Sequence, residues 1–285
     1  MRKHLSSIIL ILIFFIGLSV ILYPTVSNYW NTKTQSKAIV DYEAMLAKLT
    51  PEDYTAYFSA AEKYNAKLRT ISFPLMNYEQ IDGYQDLLNV SGNGIIGYIT
   101  IEKIDLKLPI YHGTSTAVLN VAVGHLEGTS LPIGGESTHS VLSAHRALPS
   151  AKLFTDLDKL EIGDTFTVNV LDRLLTYEVD QIRIVKPDEV DDLYVVEGED
   201  YCTLQTCTPK TINTHRLLVR GHRVENAEDH PTVLITADAI KVDSLVITPV
   251  VAAPMLLILL IVLLVKYRKK KQNADRKERR DEIRE

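Results

Sequence analysis

The chain has 285 residues, 46% of them hydrophobic and 24% charged, and a formal net charge of −5. Residues 1–4 contribute +2 and residues 266–285 contribute +5, with ten Lys and Arg against five Asp and Glu, which leaves −12 for the stretch between. So acidic a middle lacks the positive field that neutralises phosphates, which excludes a nucleic-acid partner, and only two cysteines exclude a disulfide-dense scaffold.

Residues 5–22 carry no charge over 18 positions and follow Arg2, Lys3 and His4. At 1.5 Å per residue this is enough to cross about 30 Å of hydrocarbon. No small-x-small cleavage site follows, so an uncleaved transmembrane helix is expected rather than a signal peptide. Residues 245–265, 21 positions without charge, predict a second transmembrane helix, and 266–285 a basic tail. Positive flanks stay on the cytoplasmic side. Both termini are therefore expected in the cytoplasm, with the acidic middle outside and the tail beside anionic membrane lipid.

Residues 31–70 read as helical. Apolar residues recur at Ala38, Tyr42, Met45 and Leu49, and Thr50-Pro51-Glu52-Asp53 is a helix start with a cap, a proline at the first position and acids at the positive end of the dipole. Whether these helices form a stalk or pack on the domain stays open. Residues 71–94 form a linker that begins at Ile71-Ser72-Phe73-Pro74-Leu75.

From residue 95 to 243 the texture changes to short β segments between Gly, Pro, Asn and Asp. Strands are expected at 97–101, 106–111, 140–144, 165–170, 175–185, 200–206, 216–219 and 232–236, with a short helix at 151–160. The class is mainly β, a barrel or sandwich, with helices at the N-terminal end.

Cys202 and Cys207 lie in one predicted strand, five residues apart, so they face opposite sides about 16 Å apart and cannot pair. Cys202 reads as a buried small hydrophobe. Cys207 stands at the strand end before Pro209, and a short loop leads to Arg216 at the start of the next strand. A thiol acts as nucleophile once an imidazole or guanidinium favours its ionised form. Eight histidines compete for the base. His145 stands out by position, at the end of the apolar run Ser140-Val141-Leu142-Ser143-Ala144, but spacing alone does not select it. No C-x-x-C or H-x-x-x-H spacing points to a metal, and no cofactor motif is present.

Thr203-Leu204-Gln205-Thr206-Cys207 resembles the T-L-x-T-C signature of sortases, the membrane-bound cysteine transpeptidases of Gram-positive surfaces. Asn213-Thr214-His215-Arg216-Leu217-Leu218-Val219-Arg220-Gly221 is similar to the stretch that comes after the signature in that family. So are Leu108-Pro109-Ile110-Tyr111-His112-Gly113-Thr114, the run from Gly124 to Pro132, and Ser143-Ala144-His145-Arg146 to other stretches of it. The resemblance spans about residues 94–224, and the second span with the helical lead-in is most like the pilin-polymerising class C.

The resemblance implies a closed eight-stranded β-barrel with Cys207 as nucleophile, His145 as general acid/base and Arg216 beside the developing oxyanion, Arg220 being the fallback. It also implies cleavage of an LPxTG-like sorting signal between Thr and Gly, with transfer to a pilin lysine. Attachment of surface proteins to a peptidoglycan stem peptide is the alternative, and a non-catalytic scaffold a third class. Class C members often carry a lid with an Asp-Pro-aromatic motif. This chain has Ser72-Phe73-Pro74 there, without the acid, so a weak or absent lid is expected, with Phe73 and Thr206 as its substrate- or lid-contacting residues.

Overall fold

The computed structural model describes residues 5–210 and 212–226, and beyond them the helical positions Leu257, Ile261, Val262, Val265 and Lys266. The expected strand at 232–236, most of the second apolar stretch and the basic tail lie outside the described residues. The chain divides into two compact units, Asn28–Val233 and the remainder of the chain at its two ends.

Helix α1 runs Leu5–Leu46 with Pro24 inside it. Its first half is apolar, and Leu12, Ile13, Phe15, Ile16 and Val20 are exposed. Ser19, the polar exception, donates its hydroxyl to the Phe15 carbonyl at 2.8 Å and so is satisfied without water. Among the described residues this is the one helix long and apolar enough to cross a membrane. The later part of α1 packs on the barrel. The Tyr42 hydroxyl, fully buried, donates to the Ile96 carbonyl at 3.2 Å and accepts from the Leu171 amide at 2.9 Å.

Helix α2, Pro51–Leu68, starts at the expected Thr50, which forms a capping box with Asp53. Phe58, Ala61, Tyr64 and Leu68 recur at helical spacing and enter the main core. The same face carries Asn65, which bonds both backbone groups of Leu131 and so pairs with that loop as a strand neighbour would. Both helices therefore pack on the domain.

Eight strands close a barrel in the order β1-β2-β3-β4-β7-β8-β6-β5. They are β1 (Ile95–Ile101), β2 (Leu106–His112), β3 (Val123–His125), β4 (Thr138–Ser143), β5 (Thr165–Val170), β6 (Arg173–Val185), β7 (Asp200–Thr208) and β8 (His215–Val224). Seven of the eight expected strands match, and β3 was not foreseen. It has three residues with a glycine at the centre, too short to show an alternating pattern. The expected helix at 151–160 is a 3-10 stretch, Leu153–Lys159, whose Leu153, Phe154 and Leu157 join the core.

Alternation along each strand fills the interior with Ile99, Ile110, Leu142, Phe166, Val168, Cys202, Leu204 and Val219. At Gly221 a Cβ would stand 2.8 Å from the Phe166 ring, so glycine there lets two inward faces close. Two of the eight seams are parallel, β2 with β3 and β4 with β7. The second of these matters for function, because it places the C-terminal ends of β4 and β7 at one rim.

Candidate active site

Cys207 sits one residue before the end of β7, and its Cα partner across the antiparallel seam is Arg216, near the start of β8. The opposite neighbour of β7 is β4, in parallel register with Ser143 beside Gln205. The Ala144 amide still donates to the Gln205 carbonyl at 3.2 Å. Two residues further on each chain come His145, past the end of the β4 ladder, and Cys207, on the outward face of β7. Cys207 and Arg216 are thus register partners at one rim, and His145 follows the end of β4 at the same rim. All three residues are half-buried.

The β7–β8 connection is pinned by the Asn213 amide, which donates to the Pro209 carbonyl at 3.1 Å. Arg216 is held from behind, its Nη1 donating to the carbonyls of His215 at 3.2 Å and Asn213 at 3.4 Å. Among the described residues no carboxylate lies within ion-pair distance of it. Arg220 differs. Its Nε and Nη2 donate to Asp180 at 3.0 and 2.8 Å, and the guanidinium lies 4.1 Å from the Tyr201 ring centroid. Its charge is engaged, so it is a structural residue inside β8.

Burial sorts the histidines. His125 is fully enclosed, and desolvation pushes its pKa down to about 4. Its Nε2 donates to the Ser130 carbonyl at 2.8 Å, so Nδ1 accepts from the Tyr84 hydroxyl at 2.8 Å, while that hydroxyl accepts from the Gly113 amide. His139 and His112 are also held below the usual imidazole range by burial. These three are neutral at physiological pH and belong to the packing.

Of the two expected contact residues, one is buried and one exposed. Thr206 points inward, 2% exposed, and its hydroxyl donates to the Ala144 carbonyl at 2.8 Å. It ties β7 to β4 and does not line a groove, as the alternation of β7 requires. Phe73 is 66% exposed and opens the short helix α3, Pro74–Asn77. The residue that does sit on the barrel face is Leu75, packed with Leu126 and Val190 against Val141, Val185, Leu193 and Leu218. That apolar patch lies on the outward face a few residues from Cys207.

At Gly128 a Cβ would stand 2.6 Å from the Pro74 carbonyl, so only a bare backbone lets the segment approach this closely. This is the stretch where a weak or absent lid was expected. A segment does cover the face, anchored by Leu75, and it brings no acid to Arg216. Beyond it a cleft of about 550 Å³ opens between Leu68, Ile71, Pro74, Gly128, His139 and Leu193. The linker after α3 is sewn into the core through Ile81, Tyr84 and Leu88. Leu75 carries no sequence signal beyond an apolar residue after a proline.

A closed barrel whose rim pairs a half-buried cysteine with an arginine, beside the strand end that leads to a histidine, defines a class: barrel proteins with a candidate cysteine site. Known proteins narrow it. Residues 99–224 match the model of the sortase domain. Sortase C1 of Streptococcus agalactiae is 50% identical, with a TM-score of 0.61 over 67% of this chain and 100% of that one. Sortase C of Streptococcus pneumoniae, in a structure described as bearing on catalysis and pilin substrate specificity, is 40% identical with a TM-score of 0.60, over 67% of this chain and 97% of that one. Sortase A of Listeria monocytogenes is 27% identical over 76% of this chain and 90% of its own length. The chain belongs to the sortase family, the cysteine transpeptidases that act on peptide bonds.

Proposed function

We propose that this enzyme is a membrane-anchored, pilin-polymerising sortase, with Cys207 as nucleophile, His145 as general acid/base and Arg216 as oxyanion donor. The observation that supports this reading is the register at the rim: Arg216 is the β8 partner of Cys207, and the parallel β4–β7 seam ends two residues before His145 and Cys207. The Cys207 thiolate attacks the Thr carbonyl of an LPxTG-like sorting signal. The resulting oxyanion accepts hydrogen bonds from Arg216, whose charge no described carboxylate neutralises. Donors of this kind are commonly worth about 3 kcal/mol in a site sheltered from water. As the Thr–Gly bond breaks, protonated His145 gives its proton to the glycine amine and a thioester remains. A lysine ε-amine of the next pilin then attacks the thioester, loses a proton to His145 and releases the thiolate.

Greater identity to class C structures than to sortase A supports a pilin acceptor over a peptidoglycan stem peptide. Exposed Tyr23, Tyr29 and Trp30 follow the apolar part of α1, as aromatic residues do at a membrane interface. They support a plasma-membrane anchor of a Gram-positive cell with the barrel outside and the N-terminus in the cytoplasm. The C-terminal basic tail is read the same way from its charge. Trapping decides the chemistry: a sorting-signal peptide should leave a thioester on Cys207, absent in Cys207→Ala. Covalent ladders formed on adding pilin would support polymerisation, and attachment only to stem peptide would overturn it.

A further inference from the structure

Beneath the rim lies a cation with no part in the chemistry above. The Arg146 side chain is 3% exposed. Charged groups are almost never so deeply buried unless paired, and replacing such a pair by apolar residues is often neutral or stabilising. Its place in the fold offers a reason for keeping it. Nη2 donates to Asp158 at 2.8 Å, and Nη1 lies 3.4 Å from the Thr208 hydroxyl. Arg146 directly follows His145, and Thr208 directly follows Cys207. Asp158 in turn lies 3.5 Å from the Nζ of Lys210, in the connection that leads to Arg216. Burial disfavours the charge of Asp158, but Arg146 and Lys210 outweigh it and hold its carboxyl below the usual range.

The backbone explains why side chains are needed here. The β4 ladder ends at Ser143, and the Ala144 amide makes a further bond to Gln205. Past it the chain turns away: Ala147 has φ +58°, and its amide bonds the Thr155 hydroxyl at 2.9 Å. The carbonyl of His145 is taken by the Phe154 amide of the 3-10 stretch and not by β7. No β-ladder therefore sets the distance from His145 to Cys207.

We propose that Arg146, held by Asp158, is a positioning residue: it clamps the loop carrying His145 to the strand end carrying Cys207 and thereby sets their separation. This rests on the catalytic reading of Cys207 and His145 given above.

The test uses the full chain in detergent with a fluorogenic LPxTG-type peptide. For Arg146→Met we expect kcat to fall about 100-fold with KM within about twofold, the size of loss that a misplacement of about 1 Å brings. The melting temperature should stay within a few degrees. Arg146→Lys, which keeps the charge and the Asp158 contact, should recover part of the loss. Asp158→Ala, at a half-exposed position, should lower kcat about tenfold. An Arg146→Met enzyme with kcat within threefold of wild type overturns the proposal. Should that variant fail to fold, Asp158→Ala decides: lost kcat at an unchanged melting temperature supports the clamp, and full activity sinks it. Were the wild-type chain inert to the peptide, the transpeptidase reading itself would fail. The clamp would then stand or fall on the rate at which a methanethiosulfonate reagent modifies Cys207, and an unchanged rate in Arg146→Met would overturn it.

Discussion

The two faces of the β7 wall carry the same residue type to opposite ends. Cys202 faces inward, fully buried among the barrel side chains, and desolvation pushes its thiol well above the usual range. Cys207, five residues on, faces outward, half-buried beside Arg216 and the end of β4. The arginines of β8 repeat the lesson. Arg220 spends its charge on Asp180, and Arg216 has no carboxylate partner among the described residues. Face and neighbour separate the two thiols, since strand parity decides which of them is sealed in the core.

The sharpest way to break this comparison is to remove each thiol in turn. Cys207→Ala should lower peptide cleavage at least about 1,000-fold and abolish thioester formation, as loss of a nucleophile does. Cys202→Ala should leave kcat within about twofold and lower unfolding free energy by about 1 kcal/mol through the cavity it leaves. Equal losses from both would end the distinction.

The arginine pair comes next. Arg216→Ala should cost about 100-fold in kcat with little change in KM, as removal of an oxyanion donor does. Arg220→Ala should leave kcat nearly intact and lower stability by about 1 kcal/mol, read by denaturant melts, because its ion pair is only partly buried.

The buried histidines sharpen the inward side. His125 has a folded pKa of about 4 against an unfolded value near 6.5, so the unfolded chain binds the proton first as pH falls. Its stabilisation is complete above about pH 6.5 and is lost between there and pH 4, by about 3 kcal/mol. Melting temperature should fall across that window, less steeply in His125→Gln. A flat profile would contradict a neutral buried imidazole. Asp200, whose carboxyl is held above its usual range by burial, works in the opposite direction.

The smallest effect concerns the outward face under α3. Leu75→Ala removes the anchor on Val141, Val185, Leu193 and Leu218 and should raise kcat/KM for the peptide about threefold, the factor expected from weakening one partly buried apolar contact. A fall in kcat/KM would mean that Leu75 supports the groove and does not cover it.

Much of this was legible before the fold. Thr50-Pro51 starts α2 because capping and the proline ring act within one turn, and β7 and β8 show because β-branched residues alternate over a few positions. Cys207 beside Arg216 was legible too, since a short connection between adjacent strands brings their facing ends together. For His145, spacing left several histidines open, and likeness to a family singled it out. Leu75 and Asp158 carried no pattern, Arg146 showed only as the neighbour of His145 in a family-like stretch, and Thr206 proved buried where a contact was expected.

By itself, then, the sequence determined the membrane-length apolar helix, most of the strands and the facing of the two cysteines, because each depends on interactions within a strand, a turn or one hydrophobic run. Only the tertiary structure decided which histidines are sealed in the packing, which arginine is committed to a carboxylate and which residue after Pro74 packs on the barrel face. Those depend on a parallel seam between strands some sixty residues apart and on side chains that meet after the barrel has closed. No local rule encodes a contact between segments that are neighbours only in space.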